Sequence, residues 1–204
     1  MCRVGAYYHD IGKLVKPEYF IENQGTSGGF NPHGNLAPAL SSLVVIQHVK
    51  EGVSLAKAAK LPQEIIDFIP MHHGTSRIEY FYRQAVEEAQ ESFLENLDAT
   101  DPENVGEEVY RYPGPRPMTR ETAILMIADS IEAAARTIEE PTHERFHDLA
   151  ERIIRKKFED GQLSNSTLTL ADLNRIEEAI AATLTSIYHE RIKYPEDETR
   201  SDRG

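Results

Sequence analysis

The spacing of apolar residues constrains the fold of this chain more than any other feature. Apolar positions recur at helical intervals through nearly every periodic segment, whereas β-branched residues are scattered and form no short alternating runs. The chain has 204 residues and is 40% hydrophobic, which suffices for a sizeable core. The sequence therefore predicts an all-α fold, a helical bundle in one domain.

Glycine, proline and polar segments divide the chain into predicted helices. The first helix is expected to end near residues 10–12, ahead of an irregular loop over 25–34. Ser76, with Glu79 at capping-box spacing, and Thr169 are predicted N-caps. The remaining helices are predicted over 37–50, 54–60, 62–73, 76–97, 119–138, 142–158 and 170–192.

Two segments lack helical spacing. Residues 98–117 change from acidic to proline-rich and are predicted to form a long loop that is either mobile or functional. Residues 195–204 are polar and are predicted to be a disordered tail. Residues 1–194 are accordingly assigned to a single domain.

Charge and cysteine content exclude several classes of protein. A formal net charge of −12 disfavours binding to nucleic-acid polymers and anionic membranes, which are held through neutralised phosphates. Cys2 is the single cysteine, so no internal disulfide can form, which fits a reducing, cytoplasmic location. No apolar run is long enough to span a membrane, so we expect no direct membrane contact from this segment. An anionic small substrate would need local compensation, which bound divalent ions can supply.

His9 and Asp10 stand side by side at the end of an apolar segment. Burying an adjacent imidazole and carboxylate there costs free energy unless a partner binds them. A bimetallic site needs such a pair of side chains from one structural element. The structural alternative is a satisfied buried histidine beside a polar residue at a helix end. A metal site is predicted only if the rest of the chain supplies partners.

Three further histidines offer such partners. His48 lies among aliphatic residues on the next long helix, where a lone histidine is ordinarily a core or boundary residue. His72 and His73 are consecutive, and consecutive helical side chains point about 100° apart, so both can face one site only where the helix ends. Gly74 supplies that ending.

Asp129 interrupts the apolar segment 123–131. Its structural alternative is a solvated helix face shared with Glu132 and Arg136 at helical spacing. Taken together, however, the His-Asp pair, the helical histidine, the His-His pair and this aspartate form a far more specific pattern than any part alone.

This combination resembles the HD-domain metal-dependent phosphohydrolase superfamily. The resemblance extends to the cytoplasmic domain of the seven-transmembrane HD phosphodiesterases, membrane-anchored enzymes that hydrolyse cyclic di-AMP to the linear dinucleotide pApA. It covers nearly the whole chain and implies an HD-domain helical bundle. The motifs that carry it are residues 9–13 (HDIGK), 19–24 (YFIENQ), 31–33 (NPH), 48–52 (HVKEG), 72–75 (HHGT), 80–82 (YFY), 112–115 (YPGP), 160–163 (DGQL) and 191–195 (RIKYP).

The resemblance implies a metal centre and a hydrolytic mechanism. Two divalent ions, with manganese or iron preferred and zinc as an option, lower the pKa of a bridging water, whose hydroxide attacks the phosphodiester. Asp10 bridges both ions and is the expected catalytic carboxylate. The implied metal ligands are His9, Asp10, His48, His72, His73 and Asp129.

Three cations are expected to contact the substrate. Lys13 would stabilise charge on the phosphoryl group as a second catalytic residue, although a solvated cation at a helix end is its structural alternative. Arg111 and Arg116 border the proline-rich loop and would contact the second phosphate or close over the site, against a purely structural loop. Aromatic residues available for adenine stacking, most of which we expect to be used in packing, are Tyr80, Phe81, Tyr82, Tyr110 and Tyr112.

The family pattern includes one more histidine, on a helix upstream of His9. The chain begins at Met1, after that position, so residues 1–194 are expected to form an HD domain that lacks its first helix. The ion held by His9 and Asp129 would then lack one protein ligand. Histidines outside the pattern are left without a role: His33, His143, His147 and His189.

Several functions stay open at this point. Cyclic di-GMP is a less favoured substrate. The HD enzymes that act on it resemble one another in a Gly-Tyr-Pro motif near the His-His pair, whereas here the pair is followed by Gly74 and Thr75. Guanosine tetraphosphate and deoxynucleoside triphosphates are alternatives within the superfamily. A catalytically impaired fragment that only binds a nucleotide is the alternative from another class, and a homodimer is a further arrangement left open.

Overall fold

The structure is a computed structural model that describes residues 1–20, 31–95 and 101–189. Within these ranges no β-strand forms, and an isolated antiparallel bridge joins Arg77 to Arg111. The all-α prediction is confirmed. The α-helices are α1 (Cys2–Tyr8), α2 (Pro38–Ala58), α3 (Gln63–Ile66), α4 (Phe68–Met71), α5 (Glu79–Glu95), α6 (Arg120–Ala135), α7 (His143–Glu159) and α8 (Leu170–His189).

The main hydrophobic core lies where α6, α7 and α8 pack together. Its buried side chains include Ile127 and Ile131 of α6, Phe146 of α7 and Leu184 of α8. Each fully buried side chain of this kind contributes roughly 1.5–3 kcal/mol. This core anchors α6, the helix that carries Asp129.

Threonine residues cap the N-termini of α6, α7 and α8. Thr119 and Thr122 form a reciprocal capping box at the start of α6, and Thr142 caps α7. Thr169 Oγ1 accepts a hydrogen bond from the backbone N–H of Asp172 at 3.2 Å. The predicted cap at Thr169 is therefore confirmed.

α2 is one continuous helix, so the break predicted within it is wrong. Gly52 lies inside this helix and faces Gly12: a Cβ atom on Gly52 would lie only 3.2 Å from the backbone nitrogen of Gly12. The glycine permits close packing and does not interrupt the helix. As a result, the segment after Asp10 lies against the helix that carries His48.

Two short helices replace the single one predicted over 62–73. α3 and α4 are separated by Asp67, and α4 ends at Met71. His72 and His73 follow directly, as the prediction of a helix end at this pair requires.

The predicted N-cap at Ser76 is wrong, because α5 begins at Glu79. The backbone before α5 pairs instead with the proline-rich loop. The N–H of Tyr112 donates to the carbonyl oxygen of Ser76 at 3.0 Å, and the N–H of Ile78 donates to that of Tyr110 at 2.8 Å. These bonds tie the His-His turn to the loop.

The predicted long loop packs against the fold in its described part, residues 101–117. It contains two 3₁₀ turns, Pro102–Asn104 and Glu107–Tyr110. Tyr110 and Tyr112 are both buried. This segment is therefore a packed element of the structure.

Several predictions lie outside the described residues. They concern most of the loop over 25–34, the helix ends at 97 and 192, the tail over 195–204 and the motif at 191–195. Within the described ranges, no helix is both long enough and apolar enough to cross a membrane.

Candidate metal centre

The turn after α1 aims His9 and Asp10 at the interior. Nδ1 of His9 donates to the carbonyl oxygen of Ala6 at 2.8 Å, which directs Nε2 toward the interior. Asp10 precedes the 3₁₀ turn Ile11–Val15. Because α1 has ended, these adjacent side chains reach the same site.

His48 and His72 are oriented in the same way. Nδ1 of His48 donates to the carbonyl oxygen of Val45, and Nδ1 of His72 donates to that of Ile69, both at 2.6 Å. The two residues are 2% and 0% exposed. Each therefore presents its Nε2 lone pair to the interior, which is how metal-binding histidines are commonly held.

The Asp10 carboxylate lies at the centre of this cluster. Its Oδ2 is 3.2 Å from His9 Nε2, while its Oδ1 is 3.4 Å from His48 Nε2 and 3.5 Å from His72 Nε2. Asp129 Oδ1, from α6, is 3.4 Å from His9 Nε2. Asp129 thus faces the cluster rather than a solvated side of its helix.

The structure brings all the predicted metal ligands together. Their candidate atoms form two overlapping groups, and within each group the atoms lie within 4.8 Å of one another. His72 belongs to both groups, and Asp10 contacts members of both. The groups are Asp10, His48, His72 and His73, and His9, His72 and Asp129.

A bound cation would satisfy atoms that the described residues leave without partners. Nε2 of His9, His48 and His72 and Oδ1 of Asp10 are buried and have no hydrogen-bond partner within the described part of the chain. Buried polar atoms in native proteins are nearly always satisfied. Imidazole nitrogens and a carboxylate oxygen form a suitable donor set for manganese, iron or zinc, so these residues fit a metal ion.

Burial and charge set the protonation of the cluster. Burial lowers the pKa of His9, but the carboxylates of Asp10 and Asp129 outweigh it and raise this pKa to about 10. Burial lowers the pKa of His48 to about 4 and that of His73 well below its usual value. His48 and His73 are thus neutral at pH 7, the form that binds metal, whereas His9 must release a proton.

The pKa values of the two carboxylates are both lowered. Burial alone would raise the pKa of Asp10, but the facing His72 and His9 hold it well below its usual value. Burial would also raise the pKa of Asp129, but the contact with His9 outweighs burial and lowers this pKa. Both groups are ionised at neutral pH and available as metal ligands.

His73 is held by the loop and by the turn that follows it. Its ring stacks on Tyr112, with centroids 4.1 Å apart and planes 19° from parallel. Gly74 adopts φ +56°, and a Cβ atom there would lie 2.6 Å from Gln162 Oε1. Only glycine suits this left-handed, crowded position.

Gln162, from the connection between α7 and α8, clamps the same turn. Its Oε1 accepts from the Thr75 backbone N–H at 2.9 Å, and its Nε2 donates to Thr75 Oγ1 and to Asp160 Oδ2, both at 2.9 Å. Gln162 is fully buried. This polar network fixes the orientation of the His-His turn.

The predicted substrate-binding cations are placed differently from one another. Lys13 Nζ lies 2.7 Å from Asp10 Oδ2, at the metal centre. Arg111 borders the adjoining cavity, but its guanidinium pairs with Asp160 and Glu107. Arg116 is not among the described residues that line that cavity. Its Nε donates to Thr75 Oγ1 at 3.1 Å. The loop arginines therefore have structural contacts, and their substrate roles stay predictions.

A cavity of about 780 Å³ opens beside the cluster. His73 and Asp129 form part of its wall at the metal centre. The remainder comes from the turn before α5, the helices α5, α6 and α7, and the proline-rich loop. Its lining includes the apolar side chains of Ile78, Ala133, Ala134 and Ile153. A cavity of this size and character can hold a nucleotide ligand next to the metal centre.

Sequence reasoning missed Lys157, one of the cations that line this cavity. Its Nζ donates to Ser76 Oγ at 2.8 Å. Burial lowers the pKa of Lys157 to about 8. Nothing in the sequence distinguishes this lysine from its neighbours on α7, because only the packing of α7 on the His-His turn sets it apart.

Most of the aromatic candidates are used in packing, as expected. Phe81, Tyr110 and Tyr112 are buried, and the Tyr82 ring lies under the Arg77 guanidinium at 4.1 Å. Tyr80 differs, since it is 71% exposed and borders the cavity.

Comparison with known proteins identifies the family of this chain. The HD domain family model matches residues 1–134. The cyclic-di-AMP phosphodiesterase PgpH of Bacillus subtilis is 42% identical over 96% of this chain, and its Listeria monocytogenes counterpart is 42% identical over 97%. The chain spans only about a quarter of these relatives, 26% and 25% of their lengths.

Solved structures of the L. monocytogenes PgpH HD domain have the same fold. One superposes with a TM-score of 0.79 and 40% sequence identity, covering 92% of this chain and 81% of that domain. A second, in complex with cyclic-di-AMP, gives the same TM-score and identity and covers 80% of that domain. The HD fold predicted from the sequence is confirmed, and the chain belongs to the HD domain family.

Proposed function

We propose that this chain is a metal-dependent phosphodiesterase domain that hydrolyses cyclic di-AMP to pApA. The observation that carries the proposal is the convergence of the six predicted ligands beside an open cavity. Four of them, His9, Asp10, His48 and His72, contribute buried atoms that have no hydrogen-bond partner among the described residues. The activity named for the PgpH relatives and the cyclic-di-AMP complex of a similar HD domain support the choice of substrate.

The reaction consumes one water molecule per bond cleaved. The water oxygen adds to phosphorus, the bond from phosphorus to the ribose 3′-oxygen breaks, and that oxygen takes a proton to become a hydroxyl. The product is the linear dinucleotide with a 5′-phosphate. Two bound divalent ions, with manganese or iron preferred over zinc, would activate water and neutralise phosphate charge.

The residues of the chain have distinct parts in this proposal. His48, His72 and His73 would hold one ion, and His48 and His73 are neutral at pH 7. His9 and Asp129 would hold the other ion, and Asp10 would be a ligand in both sets. Lys13, whose ammonium lies 2.7 Å from Asp10, would offset charge that develops on the phosphoryl group. No serine or cysteine nucleophile is required.

The cavity beside the metal centre is of a size that suits the proposed substrate. Its volume of about 780 Å³ lies within the usual range for small-molecule sites. Its apolar wall suits a base, and Tyr80 at its border offers a ring for stacking. Arg111 and Arg116 are kept as substrate-binding candidates that would have to exchange their present partners.

The proposal extends to the domain extent, cellular location and assembly of the protein. Residues 1–194 would be the catalytic domain, located in the cytoplasm and acting on a cyclic dinucleotide rather than a nucleic-acid polymer. Membrane anchoring through other segments is a further proposal that follows from the resemblance. A homodimer is a separate proposal for the whole protein.

Incubation of the purified chain with manganese and a substrate panel tests the proposal. The panel contains cyclic di-AMP, cyclic di-GMP, guanosine tetraphosphate and a deoxynucleoside triphosphate, with products separated by chromatography. The proposal predicts pApA from cyclic di-AMP at the highest kcat/KM, and no product in excess chelator. A higher kcat/KM for guanosine tetraphosphate or the triphosphate would show that cyclic di-AMP is not the preferred substrate. Binding of a nucleotide without turnover would show that the chain is a nucleotide-binding fragment and not an enzyme.

A further inference from the structure

The cations around the cavity differ in how they are paired. Arg77 pairs with Glu79 and Glu107, and Arg111 pairs with Asp160 and Glu107. Each of these guanidinium groups already has carboxylate partners. They are therefore poorly available to an incoming anion.

The neighbouring lysines of α7 differ in the same respect. Lys156 Nζ lies 3.0 Å from Glu79 Oε1 and its side chain is 55% exposed. Lys157 is partly buried, and among the residues described here no carboxylate lies within ion-pair distance of its ammonium. Its hydrogen bond to Ser76 Oγ leaves further N–H donors of the ammonium for a ligand.

An unpaired ammonium in a partly buried position is costly unless an anion reaches it. The protein carries a net charge of −12, yet no carboxylate in the described ranges pairs with this group. Asp129, the acidic ligand on the same cavity wall, contacts His9 instead. The position of Lys157 thus suits a ligand that brings its own negative charge.

We infer that Lys157 binds the second phosphodiester of the substrate, the one that the metal centre does not hold. This inference rests on the proposed function, because it requires a ligand with two phosphates. Lys157 borders the same cavity as the candidate ligands His73 and Asp129 but contacts Ser76 rather than any of the six. A cyclic dinucleotide would place one phosphodiester at the metals and the other against this ammonium.

The role predicted for Lys157 is binding, so KM should change more than kcat. Lys157→Met, which keeps an unbranched side chain without the charge, is expected to raise KM for cyclic di-AMP about 10- to 100-fold, the usual effect of losing a charged hydrogen bond. Lys157→Arg is expected to restore most of the loss. Lys156→Met, its neighbour with a carboxylate partner, is the matched control and should change KM by less than about twofold.

A substrate with a single phosphodiester separates this role from a general one. With manganese, hydrolysis of bis(p-nitrophenyl) phosphate should be equal in wild type and Lys157→Met. Calorimetry with a phosphorothioate analogue of cyclic di-AMP that resists cleavage should show a matching 10- to 100-fold rise in Kd for the variant.

Equal loss on both substrates would overturn the inference, because Lys157 would then act at the scissile group or on the fold. Unchanged KM and Kd for the dinucleotide would also overturn it, while the proposed function would stand. If wild type cleaves bis(p-nitrophenyl) phosphate but neither cleaves nor binds cyclic di-AMP, the proposed substrate fails and the inference fails with it.

Discussion

His9 Nε2 lies 3.4 Å from Asp129 Oδ1, although these residues stand near opposite ends of the segment that matches the HD family. α1 packs directly on α6, and this contact brings the two side chains together. The group of candidate ligands formed by His9, His72 and Asp129 therefore depends on the packing of α1 against α6. His48 and His73 belong to the other group.

Removing Asp129 should abolish one metal site and spare the other. We expect Asp129→Ala to bind about one manganese or iron ion per chain where wild type binds about two, since the group around His48 is intact. Metal content after dialysis, measured by mass spectrometry, checks this. Asp148→Ala, at an exposed position on α7, should keep the wild-type content. Two tightly held ions in Asp129→Ala would contradict the assignment.

The pKa of His9 gives the metal-free protein a specific pH dependence. In the folded chain this pKa is raised from 6.5 to about 10. Because the folded state binds the proton more tightly, the stabilisation is complete below pH 6.5 and is lost as pH rises through about 10. The difference in unfolding free energy between wild type and His9→Gln should therefore shrink over this range.

Urea unfolding in excess chelator at several pH values measures that difference. Using the difference between two variants cancels the contribution of groups common to both, such as Lys157. A difference that stays constant from pH 6.5 to 10 would show that His9 is not paired with Asp10 and Asp129 in solution.

Gly12 should tolerate no side chain. A Cβ atom there would lie 1.8 Å from the carbonyl oxygen of His48 and 2.5 Å from the backbone nitrogen of Gly52. Both obstacles are backbone atoms of α2, so Gly12→Ala should destabilise the fold by about 3 kcal/mol or more. Gly34→Ala is the control, since a Cβ atom on Gly34 would meet nothing within 4 Å. Equal urea midpoints for the two variants would contradict this packing.

Gln162 should contribute to both stability and metal affinity. Gln162→Leu leaves the backbone N–H of Thr75 without its acceptor, which costs about 1–3 kcal/mol, whereas Thr75 Oγ1 keeps its hydrogen bond from Arg116. Loosening the turn that carries His73 should also weaken metal binding. Urea unfolding and metal titration measure the two effects, with Gln90→Leu, at an exposed site on α5, as control. Loss of stability with unchanged metal affinity would limit Gln162 to a role in the fold.

The sequence predicted most of the helices and the helix end at which the His-His pair lies. The apolar periodicity of α6 and α7 and the threonine caps are local signals, and the structure follows them. His72 and His73 could be placed at a helix end because Gly74 follows them. These features are decided by short-range physics, which a sequence displays directly.

The failed predictions share a tertiary cause. The break predicted between residues 50 and 54 is absent, and Gly52 in that segment permits the close approach of Gly12. Ser76 has capping-box spacing, yet its backbone pairs with Tyr112. Lys157 acquires its place in the cavity only from the packing of α7, so no local pattern could single it out.

Turnover of cyclic di-AMP by Asp10→Ala, compared with wild type in the presence of manganese, tests the central claim most directly. Asp10 contacts His9, His48 and His72 within 3.5 Å, so its loss should disrupt both groups of ligands. We predict pApA formation by wild type and a fall of at least about 1000-fold in kcat for the variant, with the fold retained by circular dichroism. Turnover that survives Asp10→Ala at a comparable rate would contradict a metal-centred mechanism at this site.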